Sequence, residues 1–125
     1  MKVLVDTSIW IDHLHRADAM LQNLLLEDAV WVPVPVLGEL IAGNIPNRRR
    51  TLADLRMMPR LAEPPAEQIF SWIEAHRLGG KGLSWVDCQL LVTAERDHAV
   101  IYTHDRILLQ FARALKLAFA GRQVG

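Results

Sequence analysis

Four acidic residues, Asp6, Glu39, Asp87 and Asp105, stand where the local sequence could deliver carboxylates to one place. Asp6 ends the apolar run Val3-Leu4-Val5, and Asp105 follows a second run, Ala99-Val100-Ile101-Tyr102-Thr103. In an open parallel α/β sheet, ligands bind beyond the carboxyl ends of the strands, so an Asp at either end is placed for chemistry. Glu39 and Asp87 lie near the starts of helices that could approach the same sheet edge. Carboxylates brought within a few ångströms repel and raise one another's pKa unless cations neutralise them. Oxygen-only ligands select Mg²⁺ or Mn²⁺, and the chemistry such ions support on a phosphate-bearing substrate is phosphodiester hydrolysis.

Each residue also has a plain structural reading. Asp6 could begin a turn while Ser8 caps the following helix, since Asp and Ser are both ordinary cap residues. Ser84-Trp85-Val86-Asp87 has the S-x-x-D form of a capping box, which explains Asp87 by the free amides and dipole of a helix start. Glu39 lies in the apolar segment Val36 to Gly43, and its burial would be costly without a partner.

The elements that must position these residues follow in order. A strand over residues 3–5 leads to a short helix at 9–14, with Asp12 and His13 toward solvent, and then to an amphipathic helix from Ala19 to about Glu27. Ala29-Val30-Trp31-Val32 reads as a strand stopped by prolines, and Pro35 suits the first turn of the helix carrying Glu39. Asn47 is placed to cap a helix with the core-facing stripe Leu52, Leu55 and Met58, and Pro65 leads into a packing helix with Ile69, Trp72 and Ile73 on one face. Gly79-Gly80-Lys81-Gly82 lacks the phosphate-loop pattern and follows no strand, so it reads as a mobile connection. After the helix opened by Ser84 come the strand ending at Thr103, a helix with Ile107, Leu108, Phe111, Ala112 and Leu115, a short last strand at 117–120 and a polar tail. This order predicts a three-layer α/β domain with a mainly parallel central sheet flanked by helices.

At 125 residues, 51% of them hydrophobic, the chain fits one domain with one substantial core. Lys plus Arg equals Asp plus Glu at 14 each, so no whole-molecule charge points to nucleic acid or membrane, and any RNA contact must be local. Arg48, Arg49, Arg50 and Lys81 are the candidates for it, although a solvated helix edge explains the arginine run as well. The lone Cys88 excludes an internal disulfide framework and reads as a buried thiol in a reducing cytosol. The amino-terminal apolar run is too short for a signal peptide, and no stretch approaches the ~20 apolar residues of a membrane span. A soluble cytoplasmic protein is expected.

In chain order, Val5-Asp6-Thr7-Ser8-x-Trp10, Gly38-Glu39-Leu40, Val86-Asp87-x-Gln89-Leu90-Leu91 and Thr103-x-Asp105 resemble the motifs of PIN-domain ribonucleases, and among them the VapC-type toxins of bacterial toxin–antitoxin pairs. The resemblance runs over nearly the whole chain and implies a single PIN domain over 1–125. It implies Asp6, Glu39, Asp87 and Asp105 as the catalytic quartet, with Asp6, Asp87 and Asp105 holding Mg²⁺ or Mn²⁺ and Thr7, Ser8 or Thr103 orienting ligands or water. It further implies RNA cleavage, a cognate VapB-type antitoxin, a homodimer, and a structured RNA such as tRNA or rRNA cut in a loop. His104, inside the last motif, is expected to face solvent, and Cys88 stands beside Asp87 where the family is usually small. Two other readings compete. The acidic pocket could chiefly capture an Arg-bearing partner segment, with a partner helix in an apolar groove near Trp10 and Leu14. A receiver domain or aspartyl phosphatase also begins with a strand-end Asp, but Thr7-Ser8 follows here where a second Asp would be usual.

Overall fold

A computed structural model describes residues 1–121. Its centre is β1 (Lys2–Val5), paired in parallel with β2 (Val30–Pro33) on one side and β4 (Ala99–Tyr102) on the other. A two-residue strand, β3 (Arg60–Leu61), extends the parallel sheet to the order β3-β2-β1-β4. Val3, Leu4 and Val5 are at most 1% exposed. Successive side chains of a strand point to opposite faces, so both faces of β1 are covered and the domain has three layers. That is why the strand reads as an unbroken apolar run.

The helices are α1 (Thr7–His15), α2 (Ala19–Leu26), α3 (Val34–Ala42), α4 (Arg48–Arg56), α5 (Ala66–Ala75), α6 (Trp85–Arg96) and α7 (Arg106–Ala114). α6 is buried from Cys88 through Ala94, including Gln89 and Thr93. The Thr93 hydroxyl donates to the Gln89 carbonyl one turn back at 2.7 Å, which satisfies it inside the core. The Trp72 indole of α5 donates to Glu95 at 3.1 Å and fastens α5 to α6. No helix among the described residues is long and apolar enough to cross a membrane.

Several local expectations change. α1 starts at Thr7 and is capped by Asp6, because the Asp6 carboxylate reaches the Thr7 amide at 2.8 Å while Ser8 already lies inside the helix. His13 is half-buried and accepts from the Asp18 amide at 3.0 Å, while Asp12 is exposed. Asn47 stands at the start of α4 with φ 49° and makes no side-chain cap; the Thr51 hydroxyl donates to the Pro46 carbonyl instead. β3 stands where the expected order of elements has no strand. The expected last strand is an isolated parallel bridge between Ala118 and Ile101, held by Ile101 N–H to Leu117 and Phe119 N–H to Ile101. The polar tail, residues 122–125, lies outside the described residues.

One tie steadies the site end of β4. The Tyr102 hydroxyl donates to both oxygens of Asp18 (3.1 and 3.0 Å), while Asp18 caps α2 through the Leu21 amide. Burial, then the hydrogen bond to Asp18 and its charge, push the Tyr102 phenol up to about 12. The folded value exceeds the unfolded one of about 10, so the tie is fully present below pH ~10 and is lost as pH rises through about 12. Tyr102→Phe is expected to lower stability by about 1 kcal/mol at neutral pH and to remove that alkaline loss, as read from urea unfolding at pH 7 and above pH 10.

Candidate active site

Asp6 and Thr103 meet where β1 and β4 end side by side, with the Asp6 amide bonded to the Tyr102 carbonyl at 2.9 Å. Thr103, 4% exposed, donates its hydroxyl to Asp6 Oδ2 at 2.7 Å and accepts from the Asp105 amide at 3.0 Å. One buried hydroxyl therefore fixes two of the four acidic residues. Ser8 adds a longer contact to Asp6 Oδ2 at 3.4 Å. Asp105 caps α7 through the Leu108 amide at 2.9 Å.

Asp87 arrives on the third residue of α6 in a complete capping box: its amide donates to Ser84 Oγ and its Oδ2 accepts from the Ser84 amide, both at 3.0 Å. Burial raises the Asp87 carboxyl above the usual range, the Ser84 bonds oppose that rise, and the charges of Asp105 and then Asp6 add to it. The caps account for each aspartate singly. They do not require three of them, on three helix starts, to stand close enough to repel.

Glu39 is corrected in two respects. It lies in the second half of α3 rather than near its start, and it is exposed rather than buried. Val36, Leu37 and Leu40 form the buried face of α3, which leaves Glu39 on the other side. It is still joined to the group, since the Thr7 hydroxyl donates to Glu39 Oε1 at 2.7 Å and Thr7 N–H holds Asp6.

Whether these residues suit a divalent ion can be judged from their donors. Among the described residues no three or more His, Cys, Asp or Glu side chains stand as a ready-made metal-holding group. One oxygen of each aspartate faces a helix amide, while Asp87 Oδ1 and Asp105 Oδ2 make no hydrogen bond among the described residues. None of the four carboxylates has a cationic side-chain partner within the described residues. Hard oxygens with open lone pairs, mutual repulsion and three helix starts to steady them fit Mg²⁺ or Mn²⁺ by donor chemistry.

With this geometry in hand, comparison with known proteins decides the family. A PIN domain model matches residues 3–114, a span that takes in all four acidic residues. The chain belongs to the PIN domain family. It is 37% identical over 89 residues to ribonuclease VapC32 of Mycobacterium tuberculosis, from strains CDC 1551 / Oshkosh and ATCC 25618 / H37Rv alike, covering 71% of this chain and 72% of the relative. The crystal structure of PAE2754 from Pyrobaculum aerophilum superposes with a TM-score of 0.62 at 20% identity, covering 95% of this chain and 88% of that one, which shows a shared fold.

The basic residues of this PIN domain divide. Arg48 is engaged structurally, donating to the Ile41 and Gly43 carbonyls at the end of α3, where a cation complements the helix dipole. Arg49 and Arg50 are exposed beside it, and among the described residues no ion pair joins them to the carboxylates. Lys81 lies in the loop that reaches α7: Gly82, at φ +92°, is so close to Ile107 that a Cβ there would stand 3.0 Å from Ile107 Cδ1. His104 is exposed, its ring edge-on to Tyr102 at 5.6 Å, and Cys88 is buried, both as expected. Sequence reasoning passed over Arg106 and Gln110 and read Ile107 only as part of an amphipathic helix; with Asp105 these three line a cleft of about 470 Å³. The available signal was the i, i+4 spacing of Arg106 and Gln110 immediately after a site aspartate.

Proposed function

We propose that this PIN domain is a metal-dependent endoribonuclease, the toxin of a type II toxin–antitoxin pair, acting on RNA with Mg²⁺ or Mn²⁺. The observation that supports it best is the convergence of Asp6, Asp87 and Asp105 from three different helix starts, with Thr103 between two of them. In this reading Asp6, Asp87 and Asp105 hold the cation and Glu39 completes the catalytic quartet at its exposed side. A bound ion would supply a water of lowered pKa and neutralise charge developing on the leaving oxygen. Thr103 keeps Asp6 and the start of α7 in register, and Thr7 does the same between Asp6 and Glu39. The substrate is a structured RNA such as tRNA or rRNA cut in a single-stranded loop, and the setting is the cytoplasm. The test is incubation of the purified, partner-free protein with total small RNA and Mg²⁺ or Mn²⁺, mapping fragment ends. Discrete fragments are expected; intact RNA with a folded, metal-replete protein would overturn the reading in favour of an acidic pocket that only binds.

The partner in this reading is a VapB-type antitoxin. A groove of about 270 Å³ between α1, α2 and α4 includes Trp10, Leu14, Leu25, Leu55 and Met58 in its lining. The apolar part of this lining favours a segment offering apolar side chains. An Arg from the same antitoxin would suit the carboxylates, so capture and inhibition are compatible. Met58→Glu is expected to weaken antitoxin binding at least tenfold by calorimetry; undiminished binding would move the partner elsewhere. A homodimer belongs to the same proposal, with the exposed Phe70 and Trp85 rings, 5.4 Å apart, as apolar surface for it.

A further inference from the structure

We infer that the cleft at the first turn of α7 receives the nucleotide next to the scissile phosphate, with Arg106 on its phosphate and Gln110 reading its base. This rests on the nuclease reading and adds to it the residues that select the cleavage position. Asp105 lines the cleft and also belongs to the carboxylate group, so whatever fills the cleft adjoins the reacting centre.

Two polar side chains of the cleft, unlike Asp105, which caps α7, have no structural task. The side chains of Arg106 and Gln110 make no hydrogen bond or ion pair among the described residues, whereas those of Arg48 and Arg96 are both tied to backbone carbonyls. Arg106 occupies the first residue of α7, where the helix dipole disfavours a cation, and an arriving phosphate relieves that placement. A site of clustered carboxylates repels RNA, and the whole chain has zero net charge, so the approach of phosphate depends on cations at this rim. Arg106 stands beside Asp105, and the loop carrying Lys81 reaches the same helix turn through the contact of Gly82 with Ile107.

The remaining wall suits a base. Ile107 is 40% exposed despite being apolar, which offers a surface for the face of a base, and the Gly82 backbone fixes one side of it. Gln110 lies one turn beyond Arg106 on the same face, and its amide presents a donor and an acceptor together, the pair needed to read a base edge. Single-stranded RNA exposes such edges, which duplex RNA hides. The volume, about 470 Å³, is within the roughly 300–1,000 Å³ of small-ligand sites.

Two measurements test this on the full chain. Ends are sequenced after a randomised single-stranded RNA is cut by the wild type and by Gln110→Ala in Mg²⁺, and RNA binding is titrated against salt in EDTA for the wild type and Arg106→Ala. Gln110→Ala should flatten the base preference at one position by roughly fivefold or more. Arg106→Ala should lower the slope of log affinity against log salt by about one. A cleavage profile and a salt slope both identical to the wild type would overturn the assignment. The binding arm needs no turnover: a wild type that cuts nothing while Arg106→Ala still lowers the slope retains the cleft and removes the nuclease reading.

Discussion

Asp6→Asn is expected to reduce RNA cleavage by on the order of 100-fold or more while leaving the protein folded. Even partners one shell away from a metal cost ~10–100-fold when removed, and Asp6 is assigned to the ion itself. The substitution separates chemistry from structure because Asn is as good a helix cap as Asp. Its amide oxygen can keep the bond to Thr7 N–H now held at 2.8 Å, so α1 retains its start. What is lost is the negative charge and, with it, the Oδ2 acceptor for the Thr103 hydroxyl, now 2.7 Å away. Because the cap is kept and one hydrogen bond is lost, unfolding in urea should stay within about 2 kcal/mol of the wild type. Retained cleavage with an unchanged fold would show that Asp6 serves only as a cap.

Thr103→Val is expected to lower cleavage ~10–100-fold and stability by roughly 1–3 kcal/mol, through loss of a bond to Asp6 and loss of the acceptor for the Asp105 amide. Valine keeps the shape of threonine, so packing at this 4%-exposed position is little disturbed. Thr103→Ser, which restores the hydroxyl, should recover most of both losses. A stability loss without loss of cleavage would make Thr103 a purely structural residue, and rescue by Ser of cleavage and stability together would assign it to positioning the carboxylates.

The carboxylates differ in how plainly the sequence announced them. Asp6 was legible because β1, buried on both faces, reads as an apolar run that stops at it, and Asp105 because it follows a similar run, although β4 is half-buried at Val100 and Tyr102. Asp87 was legible as a cap, and the capping box is complete, yet its nearness to Asp6 and Asp105 is a long-range fact. Glu39 was misjudged because α3 is apolar in composition, and composition does not say which side of a short helix faces out. The shift of the α1 cap from Ser8 to Asp6 has a similar origin, since both residue types cap well and only the backbone decides between them. β3 has two residues and no alternation to detect.

The basic residues show the same limit. A run of three arginines resembles an RNA contact, but Arg48 is turned back onto the α3 carbonyls. The Gly79–Gly82 loop read as a mere connection, and its contact with Ile107 joins segments about 25 residues apart that no local pattern relates. Sequence spacing showed which residues could do chemistry. Only the fold brings Gly82, next to Lys81, against Ile107, next to Arg106.

The most direct test of the metal assignment is calorimetric titration of Mn²⁺ into the partner-free protein, with Asp6→Asn and Asp105→Asn beside the wild type. Binding to the wild type, weakened at least tenfold in each variant, is expected. Equal binding by all three proteins, or none by a folded wild type, would contradict a metal centre built on these aspartates.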